Sequence, residues 1–187
     1  MRAFLAIPLP AALAEAARRT IAVLGVTEAR WRVVAEGNLH LTMRFLGEVD
    51  ASRLDALDPG FAAAAGTTGR LSLRVAGAGA FPNARRPKTI WLGIEEIGAQ
   101  GALGALAERL EAAARAAGFA PEPRRFFPHV TLARARGDER TLADLATVGS
   151  LGDFEADALI LYRSITDPRG ARYDARRHYP LDAGPAR

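Results

Sequence analysis

An α+β fold of two pseudo-symmetric lobes, each an antiparallel sheet with helices on its outer face, is what this sequence predicts. Three observations carry that expectation. Short apolar runs of strand type alternate with alanine-rich amphipathic stretches, the order of these elements repeats once along the chain, and a His-x-Thr triplet occupies the equivalent place in each half. At 187 residues, 49% of them hydrophobic, the chain is long enough to bury a core without covalent staples. It reads as a single bilobal domain over residues 1–187, with repeat 1 at about 1–80 and repeat 2 at about 88–181.

Each repeat is a β-α-β-α-β unit. In the first, residues 3–7 form an apolar strand, and Pro10 then opens a helix over 11–24, where proline is tolerated because the first amide has no helical partner. Leu13, Ala17, Ile21 and Leu24 recur at helical spacing, and Gly25 follows as the stop. A strand over 39–46 carries the first triplet, an alanine-rich helix covers 51–65, and a strand covers 71–75. Residues 77–88, rich in Gly, Pro and Arg, read as the loop between halves.

The second unit opens with a strand over 89–94. An amphipathic helix over 102–117 turns Leu103, Leu106 and Leu110 inward, places Glu111 and Arg115 as an i,i+4 pair, and ends at Gly118. A strand over 129–134 carries the second triplet, a short helix spans 139–148, and a strand spans 154–162. Residues beyond 181 are expected to fray. The pattern does not fix strand order, and it allows strands of one half to complete the sheet of the other.

Composition excludes several chemistries. With no cysteine there are no disulfides, thiolate zinc sites or thiol nucleophiles. All but one of the 25 basic residues are arginine, Lys88 being the exception, a bias that suits phosphate recognition and that a GC-rich genome also produces. A net charge of only +4 favours local phosphate contacts over a broad duplex-binding surface. The apolar N-terminal run is interrupted by Pro8 and Pro10 and is far shorter than the roughly 20 residues needed to span a bilayer. No membrane association is expected, and a cytoplasmic protein is the default.

In a strand, residues i and i+2 share a face, so His40 and Thr42 project together while Leu41, Met43 and Phe45 project to the opposite, buried face. His129 and Thr131 repeat the arrangement against Val130 and Leu132. A pseudo-dyad brings two imidazoles and two hydroxyls into one cleft. Phosphodiester hydrolysis needs that set: one neutral imidazole to take a proton from water, one protonated imidazole to protonate the leaving oxygen, and hydroxyls to stabilise the phosphate charge. The two histidines have no carboxylate or cysteine partners at ligand spacing, so neither a metal nor another cofactor is expected.

The stretches Asn38-Leu39-His40-Leu41-Thr42-Met43-Arg44-Phe45-Leu46-Gly47-Glu48-Val49 and Phe127-Pro128-His129-Val130-Thr131-Leu132-Ala133-Arg134 closely resemble the paired motifs of the RNA 2′,3′-cyclic phosphodiesterases, the 2′-5′ RNA ligase (LigT-like) family of the 2H phosphoesterase superfamily. The resemblance runs from Phe4 to Tyr173. It implies metal-independent opening of 2′,3′-cyclic phosphates on RNA ends or nucleotides to 2′-phosphomonoesters, with weak reversible 2′-5′ ligation in some members. It also implies that His40 protonates the leaving O3′ and His129 activates water, although two near-symmetric groups can exchange these roles.

By the same resemblance Arg134 lies near the phosphate, with Thr42 and Thr131 as further phosphate ligands. Strict alternation puts Arg134 on the wrong face, so a bulge or the strand's end must intervene; the first motif has Phe45 at that place. Phe4 is a candidate platform for a nucleobase, with core packing as its competing role. Trp31 and Tyr173 are ambiguous between the same two roles. His178 lacks a following threonine and reads as a surface residue. The pairs Arg85-Arg86, Arg124-Arg125 and Arg176-Arg177 fall in expected loops, as solvated charge or as guides for RNA. A monomer is expected because the duplication already supplies the symmetry of a dimer. The alternative from another class is an RNA-end-binding module with vestigial ligase activity.

Overall fold

The computed structural model describes residues 1–98, 100–138, 144–167 and 170–182. Along the chain run β1 (Arg2–Pro8), α1 (Ala11–Val23), β2 (Trp31–Val33), β3 (His40–Glu48), α2 (Ala51–Gly66), β4 (Leu71–Phe81), β5 (Thr89–Glu96), α3 (Ala102–Ala116), β6 (His129–Ala135), β7 (Ser150–Ala156), β8 (Ala158–Asp167) and β9 (Gly170–Pro180). The nine strands form one antiparallel sheet in the order β7-β4-β5-β6-β3-β1-β8-β9, with β2 added on β6. This sheet has a waist. Between β3 and β6 the register holds a single pair, Leu41 with Val130, and on either side stand two four-stranded lobes, β6-β5-β4-β7 and β3-β1-β8-β9.

The halves exchange strands. β4, from the first repeat, lies between β5 and β7, while β8 and β9, from the second, extend β1. The helices cross over as well, α1 packing on β6 and β7 and α3 on β3 and α2. The apolar run in β1 has its origin in this position: Ala3 to Ile7 are all at most 3% exposed, because a central strand is covered on both faces. On α1, Leu13, Ala17, Ile21 and Leu24 are buried as their spacing requires, and so are Leu103, Leu106 and Leu110 on α3. Gly25 (φ 67°) and Gly118 (φ 78°) end these helices in the left-handed conformation that glycine adopts without a Cβ penalty.

Several elements differ from expectation. β4 continues to Phe81 instead of stopping at Val75, taking up Gly77 (φ 68°) as a bulge between Ala76 and Ala78. Glycines that read as loop are here strand, and the connection shrinks to 82–88. The strand expected over 154–162 is two strands broken at Asp157, β7 on one lobe and β8 on the other. β2 and β9 carry no clean period-two pattern, β2 being three residues long and β9 an arginine-rich sheet edge. Residues 145–147 form a 3-10 turn capped by the Asp144 carboxylate; residues 139–143 of the expected helix, and the tail from 183, lie outside the described residues. Glu111 pairs with Arg44 of β3 at 2.7 Å and not with Arg115.

Among the described residues Arg44 is the buried charge of the core, 5% exposed. It bonds Glu122 at 2.8 Å, the Ala120 carbonyl at 2.7 Å and the Phe45 carbonyl. It thereby ties the first motif strand to the segment that leads from α3 into the second.

Candidate active site

The site forms at the waist. Leu41 and Val130, directly paired, are 1% and 0% exposed on the helix side, so the flanking residues of both strands face the opposite side, open to solvent. Extending the register by one residue each way sets Thr42 across from His129 and His40 across from Thr131. The four motif side chains share one cleft face, and all four are partly exposed.

Both motif strands are bulged at the same place. β1 pairs Leu5 with Arg44 and Ala6 with Thr42, skipping Met43; β5 pairs Ile90 with Ala133 and Trp91 with Thr131, skipping Leu132. Each bulge leaves two consecutive buried residues, Met43-Arg44 and Leu132-Ala133, and shifts the alternation by one. Arg134 is thereby returned to the cleft face, and so is Phe45, which strict alternation put on the buried face and which is exposed because of the bulge. The bulge that strand parity demanded for Arg134 is present, and its guanidinium contacts the Thr89 hydroxyl at 3.4 Å.

The histidines are held alike. His40 Nδ1 lies 2.6 Å from the Asn38 carbonyl, and His129 Nδ1 lies 2.7 Å from the Phe127 carbonyl. A carbonyl only accepts, so Nδ1 carries the proton in both rings and Nε2 is the atom left for chemistry. Burial lowers the pKa of each ring below the ordinary histidine value. The carbonyl bonds oppose that shift, and the positive charge of Arg134 adds to it at both rings. For His40 the charge of His129 lowers it further, which places the two rings within electrostatic reach of each other. The hydroxyls of Thr42 and Thr131 have no hydrogen-bond partner among the described residues, so they are free for a ligand.

Aromatic rings wall both histidines. Around His40 stand Phe4 at 4.9 Å between centroids, Tyr173 at 5.3 Å and Tyr162 at 6.5 Å. Around His129 stand Phe81 at 5.2 Å, Phe127 at 6.0 Å and Trp91 at 6.2 Å. Phe4 is 3% exposed, its ring covered by His40, Phe45, Tyr162 and Tyr173, so it supports the site from below and has no free face for a base. Phe45 (52% exposed) and Phe127 (48%) do present open rings, one on each lobe. Gly79 makes room for Trp91: a Cβ there would sit 2.2 Å from the indole Cζ2.

Of the other sequence candidates, Tyr173 joins the site and Trp31 does not, being 1% exposed in the core beside Ala135. His178 is exposed on the outer strand β9. Arg177 is engaged with Asp55 and Asp58, and the pair Arg176-Arg177 lies in β9 and not in a loop. Trp91, Tyr162, Phe81 and Phe127 had not been singled out. Trp91 pairs directly with Thr131 within the second half, whereas Tyr162 and Phe81 reach the site only through the strand exchange.

Elsewhere, a cavity of about 340 Å³ at the head of α3 is lined by Glu96, Phe126 and Pro128 among others and contains no histidine. Its Glu96 carboxylate is occupied in capping α3 through the amides of Gly101 and Leu103. Among the described residues no three His, Asp or Glu side chains converge as a metal site, and no helix is long and apolar enough to cross a membrane.

The sequence signature described as LigT like Phosphoesterase matches residues 7–91 and 95–173. The RNA 2′,3′-cyclic phosphodiesterase of Aeropyrum pernix is 34% identical over 142 residues, covering 76% of this chain and 77% of that protein. The protein of the same name from Archaeoglobus fulgidus is 29% identical, over 92% and 96% of the two chains. Among solved structures, TT0787 of Thermus thermophilus superposes over the full length of both chains with a TM-score of 0.83 at 27% identity. Escherichia coli LigT complexed with 3′-AMP does so with a TM-score of 0.78 at 30% identity, over 96% and 97%.

Proposed function

Given that this chain belongs to the LigT-like phosphoesterases, we propose that His40 and His129 are the acid–base pair with which it hydrolyses 2′,3′-cyclic phosphates on RNA ends and nucleotides. The phosphate sits between the two Nε2 atoms. His129, neutral, takes a proton from a water that attacks phosphorus opposite O3′. The P–O3′ bond breaks, His40 delivers the Nε2 proton to O3′, and a 2′-phosphomonoester with a free 3′-hydroxyl leaves. Each histidine ends in the other's starting protonation state, and exchange with solvent resets the pair. The Thr42 and Thr131 hydroxyls and the Arg134 guanidinium hold the non-bridging oxygens, where charge builds in the transition state.

The observation that carries this reading is the matched orientation of the two imidazoles. Each donates Nδ1–H to the carbonyl two residues earlier, leaving two Nε2 atoms on one cleft face. A binding module has no need of that. Both histidines come from one chain, which supports a monomer, and one sheet running through both lobes supports a single bilobal domain.

The test is turnover, with EDTA present, of an RNA oligonucleotide ending in a 2′,3′-cyclic phosphate by the wild type, His40→Ala and His129→Ala. Each substitution is expected to lower kcat by about 100-fold or more, with a 2′-phosphate as the wild-type product and substrate affinity largely kept. Unchanged turnover in either variant refutes the pair, and binding without turnover by the wild type makes the protein an RNA-end-binding module.

A further inference from the structure

The lobe that holds His40 carries a row of polar side chains the hydrolytic step does not use. Across β1, β8 and β9 the register aligns Arg2 with Ser164 and Ser164 with Tyr173. Directly paired residues of neighbouring strands point to the same face. The adjacent row, Phe4 with Tyr162, is the aromatic floor of His40, so the Arg2 row lies on the cleft face two residues farther along, about 6.8 Å from it. The row between them, Ala3 with Arg163, turns Ala3 into the core at 3% exposure, which fixes the parity.

Arg2 is exposed and Ser164 and Tyr173 are half-buried. None of the three polar groups has a hydrogen bond or ion pair with a described residue. Other arginines on this sheet are neutralised by a carboxylate, as Arg74 is by Asp153 and Arg177 by Asp55. Arg2 is not, although Glu48 stands across from it in β3, because Glu48 faces the N-terminal ammonium at 3.4 Å. Burial raises the Tyr173 pKa, and the charges of Arg134 and Arg2 both act against that rise. Tyr173 also joins this row to the cleft, its ring centroid lying 5.3 Å from that of His40.

We infer that Arg2, Ser164 and Tyr173 form a second phosphate subsite, which takes the phosphate on the 5′ oxygen of the nucleotide whose cyclic phosphate is being opened. This rests on the proposed hydrolysis. The terminal nucleotide of an RNA bearing a 2′,3′-cyclic end has one further phosphate, and it is the 5′ one. The subsite therefore selects RNA ends, or 5′-phosphorylated nucleotides, over cyclic nucleotides with a free 5′-hydroxyl. Arg2 supplies the charge, Ser164 and Tyr173 supply hydroxyl donors, and none takes part in proton transfer.

The test compares kcat/KM on three substrates: a 2′,3′-cyclic nucleoside monophosphate with a free 5′-hydroxyl, the same compound carrying a 5′-phosphate, and a dinucleotide ending in the cyclic phosphate. A charge-assisted contact predicts a preference of roughly tenfold for the two substrates with a 5′ phosphate. In Arg2→Gln that preference disappears while turnover of the 5′-hydroxyl compound stays within about twofold. Arg19→Gln, which removes the same charge from α1 on the helix layer, leaves the preference intact and separates local contact from overall field. Equal effects of Arg2→Gln on all three substrates, or no preference in the wild type, overturn the subsite while the hydrolytic reading stands. Absence of wild-type turnover on all three overturns both. A preference for the dinucleotide alone shows that the subsite reads a diester and not any 5′ phosphate, and Arg2→Gln must still abolish it.

Discussion

Replacing Arg44 with methionine tests how the two motif strands are held together. Methionine keeps the apolar stem and removes the guanidinium, its charge and its donors together. Lost with the guanidinium are ion pairs to Glu111 at 2.7 Å and Glu122 at 2.8 Å and a hydrogen bond to the Ala120 carbonyl at 2.7 Å. Stripping one partner from a fully buried pair costs about 3–5 kcal/mol, because the other charge is stranded. Here the stranded carboxylates are 27% and 34% exposed and can recover water, so the lower end, about 3 kcal/mol, is expected. For a chain of this size each kcal/mol moves Tm by about 2–4 °C, giving a fall of roughly 6–12 °C in a thermal melt followed by far-UV circular dichroism. Arg44→Met with Glu111→Gln should lose less than the sum of the single changes, since the second no longer leaves a charge unpaired. A loss under about 1 kcal/mol for Arg44→Met, or strict additivity in that pair, refutes the idea that this cluster clamps β3 to the segment preceding β6.

Both histidines are depressed below the ordinary pKa near 6.5, chiefly by burial, so the kcat/KM optimum should fall on the acid side of that value; an optimum above about pH 7.5 contradicts the pairing. Arg134→Gln removes a charge that lowers both pKa values and should move the profile toward higher pH as well as reduce kcat. The folded chain takes up these protons less readily than the unfolded one, so the stability of the neutral rings is complete above about pH 6.5 and declines as pH falls through their lowered values. A urea titration at pH 7.5 and 5.5, with and without inorganic phosphate, reads this directly. Gly79→Ala places a methyl group into the Trp91 ring and should cost about 1–3 kcal/mol with an altered near-UV spectrum, and Trp91→Leu in the same chain should restore much of it.

The repeat was legible because its signals are local. A helix stripe such as Leu103, Leu106 and Leu110 and a glycine such as Gly118 act within one element, and the His-x-Thr parity acts within one strand. The exchange of β4 and β8 between lobes was not legible, because pairing partners distant in sequence leave no periodic trace. Phe4 was left between two roles for the same reason: its cover of Tyr162 and Tyr173 arrives from strands some 160 residues away. Arg44 was not singled out, since only a bulge turns it inward. The same bulge, inferred in β6 from the position of Arg134, was available in β3 by applying the repeat.

Strand exchange also governs when the cleft can exist during synthesis. The first lobe lacks its outer strands until β8 and β9, ending at residue 180, have left the ribosome, although His40 emerged long before. The second lobe waits on nothing after β7, since β4 is already made. A nascent chain therefore finishes the His129 wall first and seals the His40 wall last, and a transcript broken upstream of residue 158 encodes a protein whose exposed β1 edge has no partner and whose two motif histidines are never enclosed together.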